Sequence, residues 1–207
     1  MRPTVRFITH PDVAIDPAVP VPDWPLSAVG LARMKAGLAQ PWVRDIGAIW
    51  SSTERKALDG AMVLSAATGV PVRTMADLGE NDRSATGYLP RAEFEATADL
   101  FFAHPERSIR GWERAVDAQA RIVAAVEAVL AAVPVDLDIA IVAHGGVGAL
   151  LMCALESVPI SRSHDQPPGQ GGYYFAFDRG TRLLRHGWAR FDAEVLPALR
   201  GIGLGGG

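Results

Sequence analysis

The chain has 207 residues, 49% hydrophobic and 21% charged, enough for one sizeable core and, by its length, one domain over residues 1–200 with a flexible glycine-rich tail at 201–207. Its 20 basic and 23 acidic residues leave a formal charge of −3, which excludes the electrostatic footprint of a nucleic-acid or anionic-membrane binder and leaves any anionic ligand to a local basic cluster. The single cysteine, Cys153, excludes an internal disulfide and a cysteine-based metal site. Without a basic and apolar leader or a run of about 18 apolar residues, the chain reads as cytoplasmic.

Val5-Arg6-Phe7-Ile8-Thr9 reads as a buried strand that stops at Pro11, which has no N–H for a ladder. His10 therefore stands at the carboxyl end of a strand, the edge of an open α/β sheet where ligands bind. Pro17, Pro20, Pro22 and Pro25 make residues 12–25 an ordered surface loop next to it. Ser27 is an N-cap for a helix through about residue 39, with Leu31, Met34 and Leu38 on one stripe and Gly30 and Gly37 weakening it.

Residues 46–51 read as the next strand, and Ser52-Thr53-Glu54-Arg55-Lys56-Ala57 opens a helix that ends at Gly69. Two cations in that first turn, Arg55 and Lys56, run against the helix macrodipole. Either a bound anion explains them, through backbone N–H groups and a cation converging on it, or they are solvated surface charges. Residues 71–78 form a third short strand, followed by the polar turn 79–84. Residues 91–102 read as a short helix and 112–133 as a long one, with Val116, Val123, Val126, Leu130 and Val133 on its core stripe.

A fourth strand at 138–143 delivers His144, and Gly145-Gly146 then opens a helix through about residue 157, an arrangement suited to an anion at a helix N-terminus. Cys153 lies in the apolar run of that helix as a core residue. Residues 161–172 are a proline- and glycine-rich loop, and 173–177 with 182–188 form a hairpin through Asp178-Arg179-Gly180. His164 and His186 have no evident partner.

Strands alternating with helices, with chemistry gathered after strands one to four, predict a three-layer α/β/α sandwich with a mainly parallel central sheet and one composite pocket. If the first and fourth strands are neighbours, the two imidazoles meet there. A neutral imidazole can attack phosphorus, a second can stabilise charge on the equatorial oxygens, and a carboxylic acid can protonate the leaving alcohol. With cations in the site, such chemistry needs neither metal nor other cofactor.

These pieces together resemble the histidine phosphatase superfamily, the phosphoglycerate-mutase-like group. That family starts with a strand ending in Arg-His-Gly, continues with Pro-Leu-Thr-x-x-Gly, Ser-Ser-x-x-x-Arg-Ala and Leu-x-Glu segments, and finishes with a strand ending in His-Gly-Gly. Here they read Thr9-His10-Pro11, Pro25-Leu26-Ser27-Ala28-Val29-Gly30, Ser51-Ser52-Thr53-Glu54-Arg55-Lys56-Ala57, Leu78-Gly79-Glu80 and His144-Gly145-Gly146. The resemblance implies that His10 is the nucleophile that becomes phosphohistidine, Glu80 the proton donor and His144 the second imidazole on the phosphate. Lys56, Arg55, Arg83 and Gly145 are then the candidate phosphate-binding residues, and the partner is a small phosphorylated substrate or inorganic phosphate.

The departures are Thr9 for the family's first arginine, Pro11 for its glycine and Lys56 for its second arginine. Losing one such donor removes on the order of 3 kcal/mol of transition-state stabilisation. Arg83, three residues after Glu80, is a candidate replacement, and Glu113 in Gly111-Trp112-Glu113 a weaker one. Two readings follow: a phosphatase of a small phosphomonoester, with phosphomutase as a variant, or a catalytically impaired phospho-ligand binder. Substrate identity and oligomeric state are not legible in the sequence.

Overall fold

The alternation of side chains along the central strands sets the layers of this computed structural model, which describes residues 2–194, so the glycine-rich tail at 201–207 lies outside the described residues. In β4 (Asp138–Ala143), Ile139, Ile141 and Ala143 enter one apolar cluster and Ala140 and Val142 another. After Asp138 every residue of this strand is apolar, so both of its faces are buried and helices must cover each side.

One face is covered by α1 (Ala28–Gly37) and α2 (Arg55–Thr68), which bring Met34, Ala57, Ala61 and Leu64 onto Ile8, Ile49 and Val142. The other carries α3 (Arg91–Ala103), α4 (Ala115–Ala132) and α5 (Gly145–Leu155), which bury Phe101, Ile122, Val129 and Leu151 with Phe7, Ile141 and Phe175. Cys153 is among the fully buried residues of α5. No helix among the described residues is long and apolar enough to cross a membrane.

The six strands run in the order β3-β2-β4-β1-β5-β6, the others being β1 (Thr4–Thr9), β2 (Ile46–Ser51), β3 (Val72–Thr74), β5 (Tyr173–Asp178) and β6 (Leu184–Arg190). β1, β2, β3 and β4 pair in parallel and only β5 is reversed. The helices after β1 and β2 lie on one face and α5, after β4, on the other. Loops therefore part above the carboxyl ends of β1 and β4, the edge at which open α/β sheets bind ligands.

Three local expectations change. The third strand is shorter than 71–78, because residues Ala76–Leu78 form a 3-10 turn. The α4 helix begins at Ala115; Val126, Leu130 and Val133 of the expected stripe are buried, Val116 and Val123 are half-buried, and Ile122 and Val129 lie deepest. In α1, Leu31 is exposed while Gly30, Met34 and Gly37 are buried. The glycines are contact points: a Cβ on Gly30 would lie 2.1 Å from the Asp12 carbonyl oxygen, and one on Gly37 2.2 Å from the Phe191 ring. Close approach of α1 thus offsets the low helix propensity of glycine.

Candidate active site

Parallel pairing of β1 with β4, in a register that sets Thr9 against Ala143, makes the next residue of each strand a neighbour of the other. His10 and His144 are those residues. The His10 amide continues the ladder to the Ala143 carbonyl at 3.2 Å, and the two rings meet edge to face with centroids 5.2 Å apart and planes at 69°.

The surroundings of His10 select its tautomer. Nδ1 lies 2.9 Å from the Pro11 carbonyl oxygen, an acceptor only, so Nδ1–H donates there and the lone pair is left on Nε2. Burial, and then the Lys56 ammonium, lower its pKa to about 4. At neutral pH it is an uncharged imidazole with a free nitrogen, the state a nucleophile requires.

His144 is fully buried. Its Nε2 lies 2.7 Å from Ser52 Oγ and 3.3 Å from Glu54 Oε1, while Nδ1 has no hydrogen-bond partner among the described residues. Burial lowers its pKa to about 4 against the pull of Glu54, with His10 adding to the lowering. A carboxylate beside Nε2 favours the proton on that nitrogen.

The Glu80 carboxylate sits on the N-terminus of α5. Oε2 accepts the Gly146 N–H at 3.1 Å, and Oε1 accepts those of Val147 at 3.0 Å and Asn81 at 3.2 Å. The helix start expected to hold a bound anion thus holds a carboxylate of the chain itself, which satisfies the same unpaired N–H groups. Gly146 allows this approach, since a Cβ there would meet Glu80 Oε1 at 2.7 Å; at Gly145 it would meet Gln166 Nε2 at 2.5 Å.

A clamp on α4 carries the Glu80 segment. Arg121 pairs with both oxygens of Glu113, at 3.0 and 2.8 Å, and donates to the carbonyls of Asp77, Gly79 and Glu80 at 2.8, 3.0 and 3.1 Å. Glu113 also accepts the Asp82 N–H at 3.0 Å. Glu113 therefore serves the loop that delivers Glu80.

The cations divide. Lys56 is buried, donates to the Val21 carbonyl of the proline-rich loop at 2.9 Å and pairs with Glu54 Oε2. Arg83 has no ion-pair partner among the described residues; its guanidinium lies 5.0 Å from the Phe94 ring and 5.6 Å from the Trp112 ring, and its charge helps to lower the His10 pKa. Arg55 does not join them. Its side chain is 60% exposed and pairs with Asp59 at 2.7 Å, on the rim of an apolar groove between α1 and α2. Neighbouring helix positions face directions about 100° apart, so with Lys56 inward Arg55 points out.

Thr9, in the family's arginine position, is also turned away. It is buried, accepts the Tyr173 N–H at 3.1 Å and donates to Gln166 Oε1 at 2.8 Å. His164 pairs with Glu156 at 2.6 Å and the His186 ring lies on Tyr174, both outside the paired imidazoles.

Sequence reasoning missed Glu54. It occupies the position just before α2, and its side chain accepts the Glu80 N–H at 2.8 Å. Burial works against its charge, but His144 and Lys56 hold its pKa down to about 2. The signal available was an acidic residue two positions before Lys56, at the helix start.

Residues 18–175 match the histidine phosphatase superfamily (branch 1) pattern, a span that begins after His10. No functionally curated protein matches the chain. Among solved structures, a mycobacterial glucosyl-3-phosphoglycerate phosphatase with inorganic phosphate is similar at a TM-score of 0.74 and 23% identity, over 94% of this chain and 100% of that one. YhfR from Bacillus stearothermophilus is similar at 0.73 and 22%, over 92% and 98%. A putative alpha-ribazole-5'-P phosphatase from Escherichia coli is similar at 0.67 and 17%, over 92% and 98%. At these identities the likeness is one of fold, and with the matched span it places the chain in the histidine phosphatase superfamily, on its phosphoglycerate-mutase-like fold.

Proposed function

We propose that the protein is a metal-independent, cytoplasmic phosphatase of a small phosphomonoester, with His10 as the nucleophile. Nε2 of His10 forms a bond to phosphorus while the bond to the ester oxygen breaks, and Glu80 passes a proton to the departing alcohol. Water then attacks the phosphohistidine, Glu80 takes a proton from it, the P–N bond breaks and inorganic phosphate leaves. His144 through Nε2–H, with Lys56 and Arg83, balances charge on the non-bridging oxygens.

The observation that carries this reading is a neutral His10 with its Nε2 lone pair free, 5.2 Å between ring centroids from a second imidazole and next to Lys56. Similar chains have been solved with inorganic phosphate and with vanadate, which supports a phosphoryl group as the ligand. The test is phosphate release from a panel of small phosphomonoesters. Turnover is expected to vanish in His10→Ala, and Glu80→Gln should slow esters of poorly acidic alcohols most. Turnover surviving in His10→Ala sinks the assignment.

A second reading, a phospho-ligand binder without turnover, is favoured by Thr9 being tied to Gln166 and Lys56 to Glu54. It gives phosphate or vanadate binding that persists in His10→Asn, with no phosphate release from any ester.

A further inference from the structure

Glu54 stands where the resemblance to the family offers no role for it. Its side chain is 13% exposed. Oε1 lies 3.3 Å from His144 Nε2 and accepts the Glu80 N–H at 2.8 Å, and Oε2 pairs with Lys56 Nζ. Two of these donors, His144 and Lys56, are the groups that the phosphatase reading assigns to the phosphoryl oxygens. A carboxylate of the chain already holds the Lys56 ammonium and cancels its charge, and it lies beside His144 Nε2, whose hydrogen bond at 2.7 Å is to Ser52 Oγ.

We propose that Glu54 is a resident anion of the phosphoryl site and determines its specificity. A phosphoryl group gains Lys56 Nζ only as the Glu54 carboxylate gives it up, because two anions held on one ammonium repel strongly where water is scarce. Free inorganic phosphate has only its own contacts to offset that exchange. A phosphoryl group on a larger substrate also has the contacts of the remaining part. The site therefore discriminates against its own product and in favour of the ester, and this rests on the hollow being a phosphoryl site.

The test compares wild-type protein with Glu54→Gln, which keeps the shape and an acceptor oxygen and removes the charge, by calorimetric titration with inorganic phosphate and with orthovanadate. Glu54→Gln is expected to bind both about tenfold or more tightly, the scale set by removing one close like charge in a partly buried site. Equal or weaker binding by a folded Glu54→Gln overturns the proposal and leaves the phosphoryl site standing. If neither folded protein binds either oxyanion, the phosphoryl reading falls and the proposal with it. Since the substitution also breaks a buried pair with Lys56, wild-type crystals soaked in vanadate give a test that needs no variant. Vanadate on Lys56 with the Glu54–Lys56 pair opened is the expected result; vanadate bound with that pair intact overturns the proposal.

Discussion

Replacing Gly146 with alanine sets two effects of opposite sign against each other. Inside a helix, glycine to alanine usually stabilises by about 0.5–1 kcal/mol. At this position the new Cβ would lie 2.7 Å from Glu80 Oε1, so the carboxylate must leave the start of α5 and give up the N–H groups of Gly146 and Val147, now at 3.1 and 3.0 Å. Charge-assisted bonds are worth about 1.5–3 kcal/mol each, and water at this half-buried site returns roughly half. The net is a loss of about 2 kcal/mol, which for a chain of this size lowers Tm by about 4–8 °C. Glu80 is the proposed proton donor, so kcat should fall about a hundredfold with KM little changed. Gly60→Ala is the control: it also lies in a helix, but its Cβ would meet Met34 Cε and Val142 Cγ1 at an ordinary 3.4 Å, so Tm should rise by about 1–4 °C. The measurements are thermal melts and steady-state phosphate release. A Gly146→Ala protein that melts at or above wild type with turnover intact would refute the role given to the Glu80 contact.

Arg121→Met removes the clamp under the Glu80 loop; with the guanidinium site partly hydrated the loss is about 3 kcal/mol, measurable by urea unfolding, and a change below about 1 kcal/mol would show that the loop holds itself. Thr9→Val keeps the shape but leaves the buried Tyr173 N–H unpaired, so a cost of about 1–3 kcal/mol is expected in the same assay, and a neutral result would mean that water replaces the hydroxyl. Stability should also fall with acid in a defined window. His10 and His144 stay neutral in the fold down to about pH 4 but take protons near 6.5 when unfolded, so between these values the unfolded chain binds more protons. Stability is then full above about 6.5 and drops by up to about 1.4 kcal/mol per pH unit for each histidine as pH falls. His10→Asn should reduce that slope by about half in denaturant titrations from pH 7 to 4.5, and an unchanged slope would contradict the burial of its neutral ring.

The sheet was legible because its strands announce themselves as short apolar runs, and His10 and His144 were legible because each follows such a run directly. What brings the two together, the parallel pairing of β1 and β4, is a tertiary feature that neither strand's own residues encode. The inward and outward cations were not separable: Arg55 and Lys56 are adjacent and equally charged, and only the rotation of α2 sends one to Asp59 and the other to Glu54. Gly30 and Gly37 read as helix weakness because propensity is a local quantity, whereas the close approach of Asp12 and Phe191 is tertiary. Likewise the glycines after His144 suggested room for a ligand, and the room is taken by Glu80, more than sixty positions away in the chain.

The atom that carries the phosphoryl group decides whether His10 is the nucleophile. Phosphorus–proton correlation NMR on protein quenched in alkali during turnover of a phosphomonoester reads that atom directly. The expected result is a single acid-labile, alkali-stable phosphohistidine, substituted at Nε2 of residue His10. A phosphoryl group on Nδ1 of that ring, on His144 or on any other side chain would contradict the geometry from which the nucleophile was assigned.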